Sequence, residues 1–91
     1  MPYIQKDHRA ELDPAIDALI AQLKATGGGR NNVEGCLNYI ITRLLLSILV
    51  KPSYRTFNAL IGVLEACKLE FYRRHAAKYE DQKIVENGDV K

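Results

Sequence analysis

The sequence predicts an all-α protein, a three-helix chain that assembles as a homo-oligomeric helical bundle. Three observations predict this fold class. Apolar residues recur every three or four positions in three separate segments, which is the period of a helix with one buried face. A glycine run at 27–29 and a proline at position 52 separate these segments. The run from Cys36 to Val50 is apolar around more of its circumference than one surface helix of a 91-residue chain can use.

The first helix is predicted over residues 13–26 and is the shorter one. Asp13 can accept hydrogen bonds from free N–H groups, and Pro14 loses none at the first helical position. One apolar stripe follows, formed by Ile16, Leu19, Ile20 and Leu23. The glycine run after it predicts a flexible connection.

Two long antiparallel helices are predicted over residues 33–51 and 53–79. Pro52 disfavours helix at the residue before it, and Ser53 can cap the helix that follows. The tail, residues 80–91, contains Asn87-Gly88, a strong turn signal between short apolar pieces. The sequence therefore predicts a single domain over residues 1–91 that ends in a short C-terminal arm or hairpin.

The second helix has two apolar faces. At about 100° per residue, one face has the composition of an ordinary core: Leu37, Ile40, Ile41, Leu44, Leu45 and Ile48. Tyr39, Leu46 and Val50 cluster on the other side. Burying a Leu or Ile contributes roughly 1.5–3 kcal/mol, so several exposed ones would favour aggregation of a monomer. The second face predicts contact with another copy of the chain.

Composition excludes several classes of protein. Thirteen basic and eleven acidic residues nearly balance, unlike the charge of a dedicated nucleic-acid binder. Two cysteines without C-x-x-C spacing indicate neither a disulfide framework nor a zinc site. The N-terminal residues lack the order of a signal peptide, and the apolar run is short and contains Arg43. We expect a cytoplasmic protein with no membrane partner.

The candidate ligand site combines arginine with tyrosine and small polar side chains. Arginine offers a rigid fork for phosphate or carboxylate, and tyrosine adds a stacking face and a hydroxyl. The candidate ligand-binding residues are Asn38, Tyr39, Thr42, Arg43, Tyr54, Arg55, Asn58 and Arg73. In the alternative interpretation, Asn38 and Thr42 hydrogen-bond between helices and the arginines pair with Glu65 and Glu70 or stay solvated.

No pattern predicts catalysis, a metal site or a cofactor. Glu65 and Glu70 are five residues apart and diverge by about 140° around a helix, which argues against a magnesium motif on that helix. Neither His8 nor His75 has a nearby nucleophile and orienting residue. We expect a protein that is not an enzyme.

Four segments resemble a family of small uncharacterised helical proteins of bacteria and phages. They are the opening M-P-Y-I, the segment G-C-L-N-Y-I-I-T from Gly35, the segment L-E-A-C-K-L-E-F-Y-R-R from Leu64, and the ending Y-E-D-Q-K-I-V-E-N-G-D-V. Cys36 departs from the pattern, because the family more often has Glu there. The resemblance implies a shared pattern that includes Asn38, Tyr39, Thr42, Glu65, Lys68, Glu70, Tyr72, Arg73, Tyr79 and Glu80.

Two hypotheses of function follow from different classes. In the first, a non-enzymatic homo-oligomer holds or sequesters a small anionic, nucleotide-like ligand at a subunit seam, in a phage-related setting. In the second, the same assembly is a structural or protein-interaction module without a ligand. Nucleotide hydrolysis is less favoured, as is nucleic-acid binding through the basic residues of the third helix and tail.

Overall fold

Every element that the computed structural model describes, over residues 4–28 and 32–90, is helical. Helix α1 spans Lys6–Leu23 and continues into a π-helical turn, Lys24–Gly28. Helix α2 spans Val33–Ile48. Helix α3 spans Tyr54–Phe71 and continues through a second π-helical turn, Tyr72–Ala76, into α4, Ala77–Asn87. The all-α prediction is confirmed: the described residues form one shorter and two longer helical segments and no strand. The shorter segment is α2, with 16 residues, and not the first helix as predicted.

Helix α1 begins earlier than predicted. The expected start at Asp13 is wrong, because the carbonyl of Gln5 accepts from the amides of His8 at 3.0 Å and Arg9 at 3.2 Å and closes a first turn upstream. Pro14 therefore lies inside the helix, where it can donate no hydrogen bond to the preceding turn. At the other end Gly27 and Gly28 lie in helix instead of the predicted connection. Residues 29–31 of that connection lie outside the described residues.

Helix α2 starts at Val33 as predicted but ends three residues before the predicted position 51. The backbone of Leu49 has φ −78° and ψ 75°, and the amide of Val50 donates to the carbonyl of Ile48 at 2.8 Å. This geometry is an inverse γ-turn, which takes the chain out of the helix before Pro52 restricts it. The prediction from Pro52 alone therefore placed the end of α2 three residues too late.

Ser53 caps helix α3, as the sequence predicts. Its backbone is extended, and its Oγ accepts a hydrogen bond from the amide of Thr56 at 3.1 Å. The predicted helix end at position 79 and the predicted arm or hairpin over 80–91 are wrong for the described residues, because α4 continues to Asn87. Gly88 has φ 88° and donates to the carbonyl of Ile84 at 2.9 Å. Asn87-Gly88 thus ends a helix, since glycine adopts this backbone conformation without steric cost. Lys91 lies outside the described residues.

The π-helical turn between α3 and α4 changes the helical register. The amide of Ala77 donates to the carbonyl of Tyr72, five residues before it. Residues seven apart share a face of an α-helix, and the extra residue of a π turn makes that spacing eight. The Tyr72 hydroxyl accordingly donates to the carboxylate of Glu80, eight residues further along.

The chain divides between Pro52 and Ser53 into two units. The first contains α1 and α2, and the second contains the continuous helix from α3 to α4. No described side chain is buried in either unit. On the predicted core face of α2, Leu37 is 44% exposed, Leu44 56% and Ile48 59%. The first unit by itself therefore leaves both apolar faces of α2 largely uncovered.

The exposed area is large for a chain of this size. The accessible surface is 8381 Å² for a mass of 10.3 kDa. A folded monomer of that mass exposes about 5,400 Å². Much of the exposed area is apolar, because 24 large hydrophobic side chains are exposed among the described residues.

We expect Ser53→Ala to lower the free energy of unfolding by about 0.5–2 kcal/mol, because the first turn of α3 loses its capping acceptor. Ser47→Ala is the matched control. Ser47 donates to the carbonyl of Leu44 at 2.6 Å within α2 and caps no free amide. Urea unfolding at one fixed protein concentration measures both changes. Equal losses in the two variants would contradict the assignment of Ser53 as a cap.

Candidate functional site

Four of the predicted ligand-binding residues form a patch on one side of α2. Arg43 Nη1 donates to Tyr39 Oη at 2.9 Å, and the guanidinium carbon lies 5.7 Å from the centre of the tyrosine ring. One residue earlier along the helix, Thr42 Oγ1 donates to Asn38 Oδ1 at 3.5 Å. In each pair the two residues are four positions apart, the spacing at which side chains meet on a helix. We call Asn38, Tyr39, Thr42 and Arg43 the polar patch.

Among the residues that the structure describes, no carboxylate balances the charge of Arg43. Among the described residues, the ion pairs of the structure join other cations to Glu65, Glu70 and Glu86. A guanidinium stays protonated at all ordinary pH values and has five N–H donors. The hydrogen bond to Tyr39 fixes one edge of the group. The polar patch thus presents an oriented positive charge and several donors to solvent.

The other predicted site residues lie in the second unit. Tyr54, Arg55 and Asn58 occupy the first turns of α3, and all three are exposed. Arg73 Nη2 lies 2.6 Å from Glu70 Oε1, and Arg74 Nη1 lies 3.7 Å from the same atom. The interpretation that the arginines pair with Glu70 is confirmed for Arg73. Its charge is therefore compensated within the helix.

An open cavity of about 370 Å³ lies between α1 and α2 in the first unit. It is lined by Leu19, Gln22, Asn32, Gly35, Cys36, Tyr39 and Ile40. Cavities of this volume hold small organic molecules, and the lining of this one is mostly apolar and includes the amide side chains of Gln22 and Asn32. Tyr39 is the residue that joins the cavity to the polar patch.

The periodicity of the sequence does not predict this cavity. Gly35 was the available signal, since a side chain there would place its Cβ 2.6 Å from Asn32 Oδ1. Glycine within an apolar helix therefore allows the Asn32 side chain to reach across the first turn of α2. The contribution of Leu19 and Gln22 depends on how α1 packs against α2, which the periodicity of one helix does not reveal.

The titratable groups of the second unit include one with a shifted pKa. The Tyr72 hydroxyl donates to Glu80, and this hydrogen bond together with the negative charge of Glu80 raises its pKa above the usual value of about 10. No group of His, Cys, Asp and Glu among residues 4–28 and 32–90 has the arrangement of a metal site. None of the helices in those ranges is both long enough and apolar enough to span a membrane.

Comparison with known proteins identifies the family. Residues 1–90 match the family described as "Domain of unknown function (DUF6899)". The chain belongs to the DUF6899 family. No curated protein and no solved structure matches it. The DUF6899 description names no activity, so the function proposed below is argued from the residues of this chain.

We expect the Tyr72–Glu80 hydrogen bond to stabilise the fold up to about pH 10 and to lose its contribution at higher pH. The raised pKa means that folding favours the protonated hydroxyl, so the stabilisation is complete below the unfolded value and disappears as pH rises through the folded one. Urea unfolding between pH 8 and pH 11 should show a steeper loss for the native chain than for Tyr72→Phe. Tyr79→Phe serves as the control, and identical pH profiles for the native chain and Tyr72→Phe would contradict the assignment.

Proposed function

We propose that this DUF6899 protein is a non-enzymatic, self-assembling helical module that holds a small anionic, nucleotide-like ligand at a subunit seam. The observation that carries the proposal is the guanidinium of Arg43, oriented by Tyr39 and without a carboxylate partner among the described residues. A cytoplasmic, phage-related setting, in which the protein sequesters a nucleotide signal, completes the proposal.

Self-assembly is supported by the area that the chain leaves exposed. A specific interface removes about 800 Å² per partner, and obligate homodimers remove considerably more. No described side chain is buried in either unit, so the apolar faces of the helices need a cover that their own unit does not supply. Apolar side chains with 40–60% exposure run along both α2 and α3.

Ligand binding is supported by the composition of the polar patch. A guanidinium recognises phosphate oxygens through paired N–H donors, and an aromatic ring can stack on a base. The Tyr39 side chain is 61% exposed, so its ring is accessible, and Asn38 and Thr42 add neutral donors and acceptors one residue away. A nucleotide offers both the charge and the flat ring that such a patch recognises.

A second candidate function is an interaction module without a ligand. The ion pairs of Arg73 and Arg74 with Glu70 favour it, because they remove free positive charge from the part of the predicted site in the second unit. The same ion pairs, together with that of Lys83 with Glu86, weaken the case for nucleic-acid binding. The pairing of Glu65 with Lys68 likewise weakens the case for a magnesium-dependent nucleotide hydrolase.

Both candidate functions require an oligomer. We expect light scattering at micromolar concentration to give a mass at least twice the 10.3 kDa of one chain. The midpoint of thermal unfolding should rise with protein concentration, because association stabilises only the folded form. A folded species of one chain with a midpoint independent of concentration would contradict self-assembly.

Thermal-shift measurements with nucleoside phosphates, cyclic dinucleotides and inorganic phosphate separate the two candidates. If a ligand binds, stabilisation grows with its concentration and reaches about 2.7 kcal/mol at one hundred times the Kd. Arg43→Gln should abolish the shift, since it removes the charge of the polar patch. Lys24→Gln, which removes a cation of the same unit outside the patch, should preserve it. No shift with any of these compounds would favour the interaction module.

A further inference from the structure

The cavity between α1 and α2 adjoins the charged side chain of the polar patch. Its lining includes Tyr39, and Tyr39 Oη accepts from Arg43 Nη1 at 2.9 Å. At about 100° per residue, Arg43 lies within roughly 10° of the mean direction of the α2 residues that line the cavity. We propose that this cavity holds the base of a nucleoside monophosphate, with the phosphate at Arg43. The inference rests on the function proposed above and specifies its ligand class.

The size of the cavity favours a ligand with a single base. Its volume is about 370 Å³. Pockets for small molecules span roughly 300–1,000 Å³, so this one lies near the lower limit of the range. A dinucleotide carries two bases and needs a larger pocket or a second one. The cavity of the first unit therefore suits a mononucleotide better than a dinucleotide.

The lining of the cavity has the chemistry that a base requires. Leu19, Cys36 and Ile40 provide apolar surface for a flat ring, and the last two are half-buried. The amide side chains of Gln22 and Asn32 belong to the same lining. An amide has both donors and an acceptor, and it can pair with two neighbouring groups on the edge of a base. Gln22 and Asn32 are thus the residues that recognise the base edge.

Neither amide side chain has a hydrogen-bond partner among the residues that the structure describes. Asn32 makes no capping hydrogen bond with α2, and at Gln22 it is the backbone carbonyl that accepts from Thr26. An apolar helix face laid over the cavity would desolvate these amides and Arg43 without replacing their hydrogen bonds to water, which is costly. A nucleoside monophosphate avoids this cost, because it combines an apolar ring, a hydrogen-bonding edge and a negative charge. It is therefore the better occupant.

Gly35 offers a variant that moves one of the amides without removing it. A Cβ at this position would lie 2.6 Å from Asn32 Oδ1, so Gly35→Ala must displace the end of that flexible side chain. The same change favours the helix, since alanine is the best helix former. We expect Gly35→Ala to weaken binding of the preferred nucleoside monophosphate about tenfold, the effect of losing one paired contact to a base. Gly62→Ala is the matched control, because no described atom lies within 4 Å of its Cβ position, and it should bind like the native chain.

Cys36 reports whether the cavity is open in the intact protein and whether the ligand fills it. Its side chain lines the cavity, whereas Cys67 in α3 is exposed and serves as the internal control. We expect iodoacetamide to alkylate both thiols of the native chain, and the bound nucleoside monophosphate to slow the reaction at Cys36 alone. Unchanged alkylation of Cys36 at saturating nucleotide would overturn the inference. A Cys36 thiol that reacts only after unfolding would also overturn it, because another part of the protein would then cover the cavity.

Titration calorimetry with the four common ribonucleoside monophosphates, their nucleosides and ribose phosphate separates this inference from the proposed function. We expect one monophosphate to bind about tenfold more tightly than ribose phosphate, and Arg43→Gln to lower its affinity to that of its nucleoside. Equal affinity for ribose phosphate and all four monophosphates would overturn the base site and leave an anion site at Arg43. Binding of cyclic dinucleotides alone would likewise overturn the inference and leave the proposed function standing. No binding of any of these phosphates would overturn both.

Discussion

Apolar surface that the chain cannot cover within either unit is the constraint on which the other features depend. Ordering the backbone costs about 1–2 kcal/mol per residue, and hydrogen bonds within a helix do not offset this cost without packing of an apolar face. No described side chain is buried. The helices are therefore stabilised by whatever covers their apolar faces.

The uncovered apolar surface of α2 also makes the charged side chain of Arg43 unusual in its surroundings. In the second unit cations and carboxylates alternate, and pairs such as Lys68–Glu65 at 3.1 Å are exposed and contribute about 0–1 kcal/mol each. Such pairs keep a helix soluble without specifying a ligand. Arg43 stands instead among exposed leucines and isoleucines and is held by Tyr39. A charge retained in apolar surroundings has a high desolvation cost if it is buried unpaired, which favours an anionic partner at any interface that covers it.

Side-chain periodicity predicted the features that are set within a single helix. It located α2 from Val33 onward and grouped Asn38, Tyr39, Thr42 and Arg43 as candidate ligand-binding residues, which the structure joins in pairs four residues apart. The hydrogen bond between helices that the alternative interpretation assigned to Asn38 and Thr42 lies within α2 instead. Periodicity did not predict where α1 begins and where α4 ends, because local backbone geometry determines these positions. The early start of α1 depends on the carbonyl of Gln5, and the end of α4 depends on the positive φ of Gly88. The cavity between α1 and α2 combines residues of two helices, so no single periodic pattern could reveal it.

The π-helical turn at Tyr72–Ala76 has a consequence for any helix that packs along the second unit. Because the turn takes in one extra residue, the apolar pattern of α3 and that of α4 are out of phase with each other. A partner helix with an uninterrupted repeat can stay in phase with only one of the two. A helix that contacts the full length from Tyr54 to Asn87 needs a matching irregularity, and an ordinary straight helix must stop or diverge near Tyr72. The turn thus limits the length over which a straight helix could stay in register with the second unit.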